Sequence, residues 1–219
     1  MSLTLALGGR DVVLLSQCAA FVPDIAWLLV ADAHLGKAHA FRRLGVPVPE
    51  ATTEDNLQRL GDLIDRHGAR GVAFLGDLLH ARHGRGEATL QAVARWRARH
   101  ADVHMVLVRG NHDSRAGDPP ADWDVEAVDE PWPLPGPGSL RLCHHPQAVS
   151  GAHVLAGHVH PAARVGRGAD SLRLPCFHVG PDTTVLPAFG GFTGMHVITP
   201  AQGDRVFVAA GDVVREVKA

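Results

Sequence analysis

"IAWLLVADAHLGK", residues 25–37, runs apolar as far as Ala31 and then meets Asp32 and His34. A short, unbroken apolar run is the pattern of a strand buried on both faces, which belongs in a parallel sheet covered by helices. "GVAFLGD", residues 71–77, and "VHMVLVRGNHD", residues 103–113, repeat the pattern. Between the first two lies "TTEDNLQRLGDLIDRHG", residues 52–68. Its apolar Leu57, Leu60, Leu63 and Ile64 recur at helical spacing, with Thr52 or Thr53 as cap and Gly68 as stop. A second helix is predicted from Glu87 to Arg99. Strand, helix, strand, helix, strand implies an α/β sheet with parallel pairing.

"LTLALGGRDVVLL", residues 3–15, reads as an opening hairpin in which Gly8 and Gly9 make the tight turn. After the Pro- and Gly-rich crossing "DEPWPLPGPGS", residues 129–139, the pattern changes. "LRLCHH", "AHVLAGHVH", "LPCFHVG", "GMHVIT" and "DRVFVAA" are short strands separated by turns. They are too short to close a core of their own. The expectation is two packed mixed β-sheets flanked by helices, in one domain spanning residues 1–219.

A chain of 219 residues, 46% hydrophobic and 20% charged, has enough apolar material for a core without disulfide staples. Cys18, Cys143 and Cys176 are scattered, with no CxxC, and read as reduced thiols of a cytoplasmic protein. No apolar run is long enough to span a bilayer, and the N-terminus lacks a basic region and cleavage site, so neither membrane nor secretory signal is expected. A formal charge of −2 excludes a strongly basic nucleic-acid binder, though not a local basic patch. The anomaly is histidine, at 15 residues.

Histidines and acids collect at strand ends: Asp32 with His34, Asp77 after Gly76, Asn111-His112-Asp113 after Gly110, His144-His145, and His158 with His160 after Gly157. Ligands in open α/β sheets gather at the carboxyl ends of strands. An Asp and a His two apart on an extended segment project to one side, and glycine before a ligand lets the chain turn sharply. Taken singly, "GD" is a turn, "GNHD" a capped loop, and "GHVH" an edge strand with solvent-facing histidines. Together they predict a metal site. Imidazole, carboxylate and amide donors suit Mn, Fe or Zn rather than Ca.

The blocks DxH, GD, GNH(D/E), H and GHxH are all present, and in this the chain resembles the calcineurin-like metallophosphoesterases. The stretches "ADAHLGKAHAFRRLGVPVPE", "FLGDLLHAR", "GNHDS", "GHVHPAARVGRG", "LRLPCFHVG" and "LPAFGGFTG" resemble one bacterial subgroup, the ligase-associated DNA-damage-response metallophosphoesterases. The resemblance implies a four-layer α/β/β/α sandwich around a binuclear centre. Asp32, His34 and His160 would hold one metal, Asn111, His144 and His158 the other, and Asp77 would bridge them. His144 is preferred to His145 on the family's His-x-Pro pattern, here "HHP". His112 would be the catalytic histidine, with Asp113 either orienting it or capping the turn. The cofactors implied are two divalent transition-metal ions, manganese first, with iron or zinc as alternatives. Two metals about 3.5–4 Å apart lower the pKa of a shared water and clamp phosphoryl oxygens during in-line attack. His112 would then donate to a non-bridging or leaving oxygen.

The basic set Lys37, His39, Arg42 and Arg43 is either a phosphate contact or a solvated helix face. "GDLLHARHGRG" departs from the GDxVDRG arginine of protein Ser/Thr phosphatases, which argues against that branch. Arg95, Arg97 and Arg99 suit a helix C-terminus, and "FGGFTG" lacks the GK[ST] of a P-loop. The function implied is a manganese-dependent DNA endonuclease of repair, preferring single strands, with DNA as partner and a link to a DNA ligase, helicase and exonuclease set. The rivals are a small-molecule phosphoesterase acting on nucleotides or nucleotide-sugar pyrophosphates, and a metal-stabilised scaffold. The scaffold is disfavoured because it would need the ligands but not His112.

Overall fold

The opening hairpin pairs β1 (Leu3–Leu7) with β2 (Arg10–Leu15), Leu7 opposite Arg10. Its two-residue turn takes φ of +55° at Gly8 and +79° at Gly9, the positive values that a hairpin turn matched to strand twist requires. The structure, a computed structural model, describes residues 2–43, 45, 52–80, 86–166, 170–191 and 193–217. From the hairpin the first sheet continues antiparallel through β3 (Ala19–Val22) and β4 (Trp27–Val30). Then β5 (Gly71–Leu75), β6 (His104–Val108) and β7 (Val125–Val128) add in parallel, giving the order β1-β2-β3-β4-β5-β6-β7. Every residue of β4 and β5 is buried, as their unbroken apolar runs require.

A short helix, α1 (Lys37–Arg43), follows β4, and the long helices α2 (Thr52–His67) and α3 (Glu87–Arg99) cover one face of the first sheet. Leu57, Leu60, Leu63 and Ile64 of α2 and Ala92, Val93 and Trp96 of α3 pack on Leu28, Val30, Val72, Phe74 and Met105. Each large aliphatic side chain so buried contributes about 1.5–3 kcal/mol. Thr52 is already helical, so neither threonine is the expected cap; instead the Thr53 hydroxyl accepts the Gly36 N–H at 3.3 Å. That bond ties the start of α2 to the loop carrying His34. Arg97 is a buried strut, donating to the Trp123 carbonyl at 2.7 Å.

The second sheet contains β8 (Trp132–Pro133), β9 (Leu140–Cys143), β10 (His153–Ala156), β11 (Pro161–Val165), β12 (Leu172–Val179), β13 (Thr183–Val185), β14 (His196–Val197), β15 (Arg205–Ala210) and β16 (Val213–Val217). Their order is β14-β11-β12-β13-β10-β9-β8, with β15 on β12 and β16 on β15. Both sheets are mixed, and they pack face to face. Leu29, Ala73, Leu75 and Val106 of the first meet Leu142, Leu155, Phe177 and Phe207 of the second. Among the described residues both long helices lie on the first sheet. No helix of the described residues is long and apolar enough to cross a membrane. A short helix, α4 (Asn111–Ala116), begins three residues after β6.

Candidate metal centre

The backbone is unusual where the chemistry lies. Asp32 (φ +53°), His34 (+44°), Asp77 (+51°), His158 (+69°) and His160 (+53°) all occupy the left-handed region. Among the described residues only Cys18, Ala26 and Asp124 share it without being glycine. Such conformations cost of order 1–3 kcal/mol each and cluster at functional sites. They also correct the expectation for Asp32 and His34, which converge through left-handed turns after β4 and not through the alternation of an extended segment.

Hydrogen bonds between loops hold these turns. His34 N–H donates to the Asp77 carbonyl at 2.8 Å and Leu35 N–H to that of Leu78 at 2.8 Å. The buried Asp113 carboxylate accepts N–H groups from Asp77 (2.6 Å), Leu78 (3.1 Å), Leu79 (3.4 Å) and Gly110 (2.9 Å). Its oxygens are thus committed to backbone, binding the loops after β5 and β6 together, and the turn-capping alternative describes what it does. Burial pushes its pKa up to about 6, aided by the Asp77 charge and opposed by the donors at Gly110, Leu79 and Asp77. Gly76 has φ +77°, and a Cβ there would lie far inside van der Waals contact with His144 Nδ1. Gly76→Ala should therefore cost about 2–4 kcal/mol through backbone strain and overpacking, a loss thermal melting will read.

The donors converge. Ligand atoms of Asp32, His34 and His160 lie within 4.8 Å of one another, as do those of Asp32, Asp77 and His144. His160 Nε2 is 3.3 Å from Asp32 Oδ1, and His34 Nε2 is 3.8 Å from Asp77 Oδ2. His144 Nε2 meets Asn111 Oδ1 at 2.9 Å, His158 Nδ1 at 3.0 Å and Asp77 Oδ1 at 3.6 Å. His144 Nδ1 bonds the Leu75 carbonyl at 3.0 Å, and His160 Nδ1 that of Gly194 at 3.1 Å. A carbonyl only accepts, so these Nδ1 atoms carry the proton and, in the neutral rings, the Nε2 lone pairs turn inward. Asp32 Oδ1 and both ring nitrogens of His34 are buried with no hydrogen-bond partner. Unpaired buried polar groups cost about 1–3 kcal/mol each. Electron-rich atoms facing one another without a proton between them are what a divalent cation satisfies, so the residues fit metal. Burial, then the charges of Lys37, His160, His80 and His112, hold His34 down to about 2, in the neutral form that ligates.

The two adjacent histidines differ. The His144 side chain is 0% exposed and points among the inner donors, whereas that of His145 is 45% exposed and bonds Glu130 Oε1 at 2.7 Å. Glu130 Oε2 also accepts both backbone N–H groups, at 2.6 and 2.9 Å. No motif marks Glu130, and sequence reasoning passed it over. His80 was missed as well. Its carbonyl accepts the His112 Nδ1–H at 2.6 Å, and its ring stacks on His112 with centroids 5.3 Å apart. His112 is left with Nε2 3.9 Å from Asp77 Oδ2 and a side chain 31% exposed.

Lys37 is half-buried, which lowers its pKa, while the charges of Asp32 and Asp77 raise it. It therefore stands in the field of the site. Arg42 is half-buried with a partner of its own. The side chains of His39 and Arg43 lie outside the described residues.

No protein-family model and no curated protein matches the chain. Among solved structures, it resembles the crystal structure of Pseudomonas putida nuclease MPE at 42% identity and a TM-score of 0.87, over 99% of this chain and 100% of that one. It is also similar, at 18% identity and a TM-score of 0.41, to Yfce, a phosphoesterase from E. coli, over 86% of this chain and 90% of that one. That second likeness is too loose to carry an argument. The chain belongs to the calcineurin-like metallophosphoesterases, of the ligase-associated DNA-damage-response type. It is a metal-dependent phosphodiesterase.

Proposed function

We propose that this phosphodiesterase is a manganese-dependent DNA endonuclease that prefers single-stranded or flapped DNA and acts in repair, alongside a ligase, helicase and exonuclease set. The observation that carries the reading is full-length likeness, at 42% identity, to a nuclease. The donor set supports it. Asp32, His34 and His160 would hold one ion, Asn111, His144 and His158 the other, with Asp77 between them. When bound, two such ions supply Lewis acidity and lower the pKa of water.

The remaining work falls to the chain. The His80 carbonyl fixes the His112 ring by accepting its Nδ1–H, which turns Nε2 toward the centre. From there Nε2 can present a proton to a phosphoryl or leaving oxygen. Lys37 adds positive charge beside the acids, favouring an anionic substrate. A scissile phosphate must reach deep-set donors, which is easier for a flexible strand than for a stiff duplex.

Incubation of the purified protein with manganese and labelled single-stranded, flapped and duplex DNA tests the reading. Single strands and flaps should be cut several-fold faster than duplex, without sequence preference. Hydrolysis of nucleotides or sugar-nucleotide pyrophosphates with no cutting of DNA would assign the site to small molecules instead.

A further inference from the structure

Strands β11 and β12 run past the rest of their sheet at the metal end. β13 reaches β12 only at His178 and Val179, β15 only from Cys176 to Val179, and β14 meets β11 only at Pro161 and Ala162. Beyond Pro175 the two strands have, among the described residues, only each other as strand partner. They form an arm that starts at Pro161, directly after His160.

The arm carries Arg164 opposite Arg173, both exposed, in register. Alternation places Arg173 on the face of Phe177 and Val179, the face that lines the inter-sheet core. Leu174 and Cys176 point the other way, into a separate cluster with Val206 and Val208. The arginine pair therefore continues the inner face outward, beyond the end of the sandwich where the metal donors collect. Arg164 lies four residues beyond His160, roughly 13 Å along an extended strand.

Like charges directly opposite on a sheet are destabilising. Among the described residues neither arginine has an acidic partner; Arg164 donates only to Ser171 Oγ, at 3.3 Å. Among the described residues the arm thus presents two guanidiniums with no acidic partner on the strand pair that leaves His160. Guanidinium is the cation best matched to phosphate oxygens, and an anion between the two relieves their repulsion.

We infer that Arg164 and Arg173 form a clamp for the phosphodiester backbone of a single strand whose scissile phosphate lies at the metal centre. This rests on the DNA reading above. The clamp carries no base recognition, because both side chains would meet phosphate.

The test compares wild type, Arg164→Ala/Arg173→Ala and Arg173→Glu. Binding of a labelled oligothymidylate is measured against salt, and hydrolysis is measured on that oligonucleotide and on bis(nitrophenyl) phosphate, which is too short to span to the arm. For the double variant, the salt slope should become shallower by about 1.4 in log–log terms, at roughly 0.7 for each single-strand phosphate no longer neutralised. Its ratio of kcat/KM on oligonucleotide to that on the small diester should fall about tenfold. Arg173→Glu should weaken oligonucleotide binding to about the extent of the double variant, since it also lowers the charge of the pair by two, while melting at or above wild type because it turns repulsion into attraction. An unchanged slope, or equal losses on both substrates, would overturn the clamp. If the wild type hydrolyses the diester yet neither binds nor cuts the oligonucleotide, the DNA reading itself fails.

Discussion

Asp77→Ala should leave fewer than one metal ion per chain where the manganese-loaded wild type is expected to hold about two. Asp77 approaches members of both proposed ligand sets. Its Oδ2 is 3.8 Å from His34 Nε2, and its Oδ1 is 3.6 Å from His144 Nε2. Removing this carboxylate would take a donor from each proposed set, and it leaves the His112 N–H, now bonded to Oδ1 at 2.9 Å, without its acceptor. Elemental analysis after gel filtration reads the stoichiometry. Melting supplies an independent measure, because a ligand at 100 times its Kd stabilises by about 2.7 kcal/mol. A shift of about 2–4 °C per kcal/mol is usual for chains of 150–250 residues. Manganese should therefore raise the wild-type Tm by about 5 °C or more for each site filled, and should raise that of Asp77→Ala much less. One ion per chain in both proteins, with equal Tm shifts, would rule out the shared bridge.

The parallel half of the fold was legible because burial on both faces leaves an unmistakable mark. β4, β5 and β6 are apolar runs with buried residues throughout or nearly so, and α2 and α3 carry apolar residues at helical spacing. The strands that escaped notice lack such a mark. β11 is "PAARV", opening on proline with two alanines, and β16 shows one buried residue in five. β8 has only two residues. These segments are strands because a neighbour offers a ladder, and strand formation depends more on cross-strand partners than on intrinsic preference.

At the site, residue types were legible and geometry was not. The acids, amide and imidazoles stand in short motifs at strand ends, which marks a metal site, while their division into two ligand sets is what the resemblance implies. What aligns them is five left-handed residues and a set of backbone carbonyls, at Leu75, His80 and Gly194. A carbonyl belongs to every residue and signals nothing in sequence. Asp113 illustrates the limit from the other side. It sits beside His112 in "GNHD", which suggested a hand on the imidazole, yet its oxygens serve Gly110 and the loop at Asp77, Leu78 and Leu79. The group that holds His112 is the His80 carbonyl, 32 positions away in sequence.

His112→Ala should keep its metals and lose about 10²–10⁴-fold in hydrolysis, the usual range for removing a general acid or base. The two halves of that expectation come from different atoms. Metal is spared because neither proposed ligand set includes His112; its backbone N–H still supports Asp77 Oδ1 after the ring is gone. Rate is lost because the ring is the group near Asp77 that is partly open to solvent and held by a single hydrogen bond at Nδ1. Manganese stoichiometry and the manganese-induced rise in Tm should therefore match wild type, while kcat on a small diester falls. The size of the loss should depend on the leaving group. A nitrophenolate departs readily without a proton, whereas a deoxyribose oxygen does not, so the DNA substrate should suffer more. Equal losses on both would place His112 on a non-bridging oxygen throughout the reaction rather than on the leaving oxygen. A wild-type rate on both would reduce it to a turn residue, and the metal-stabilised scaffold would become the better account of why the donors are gathered.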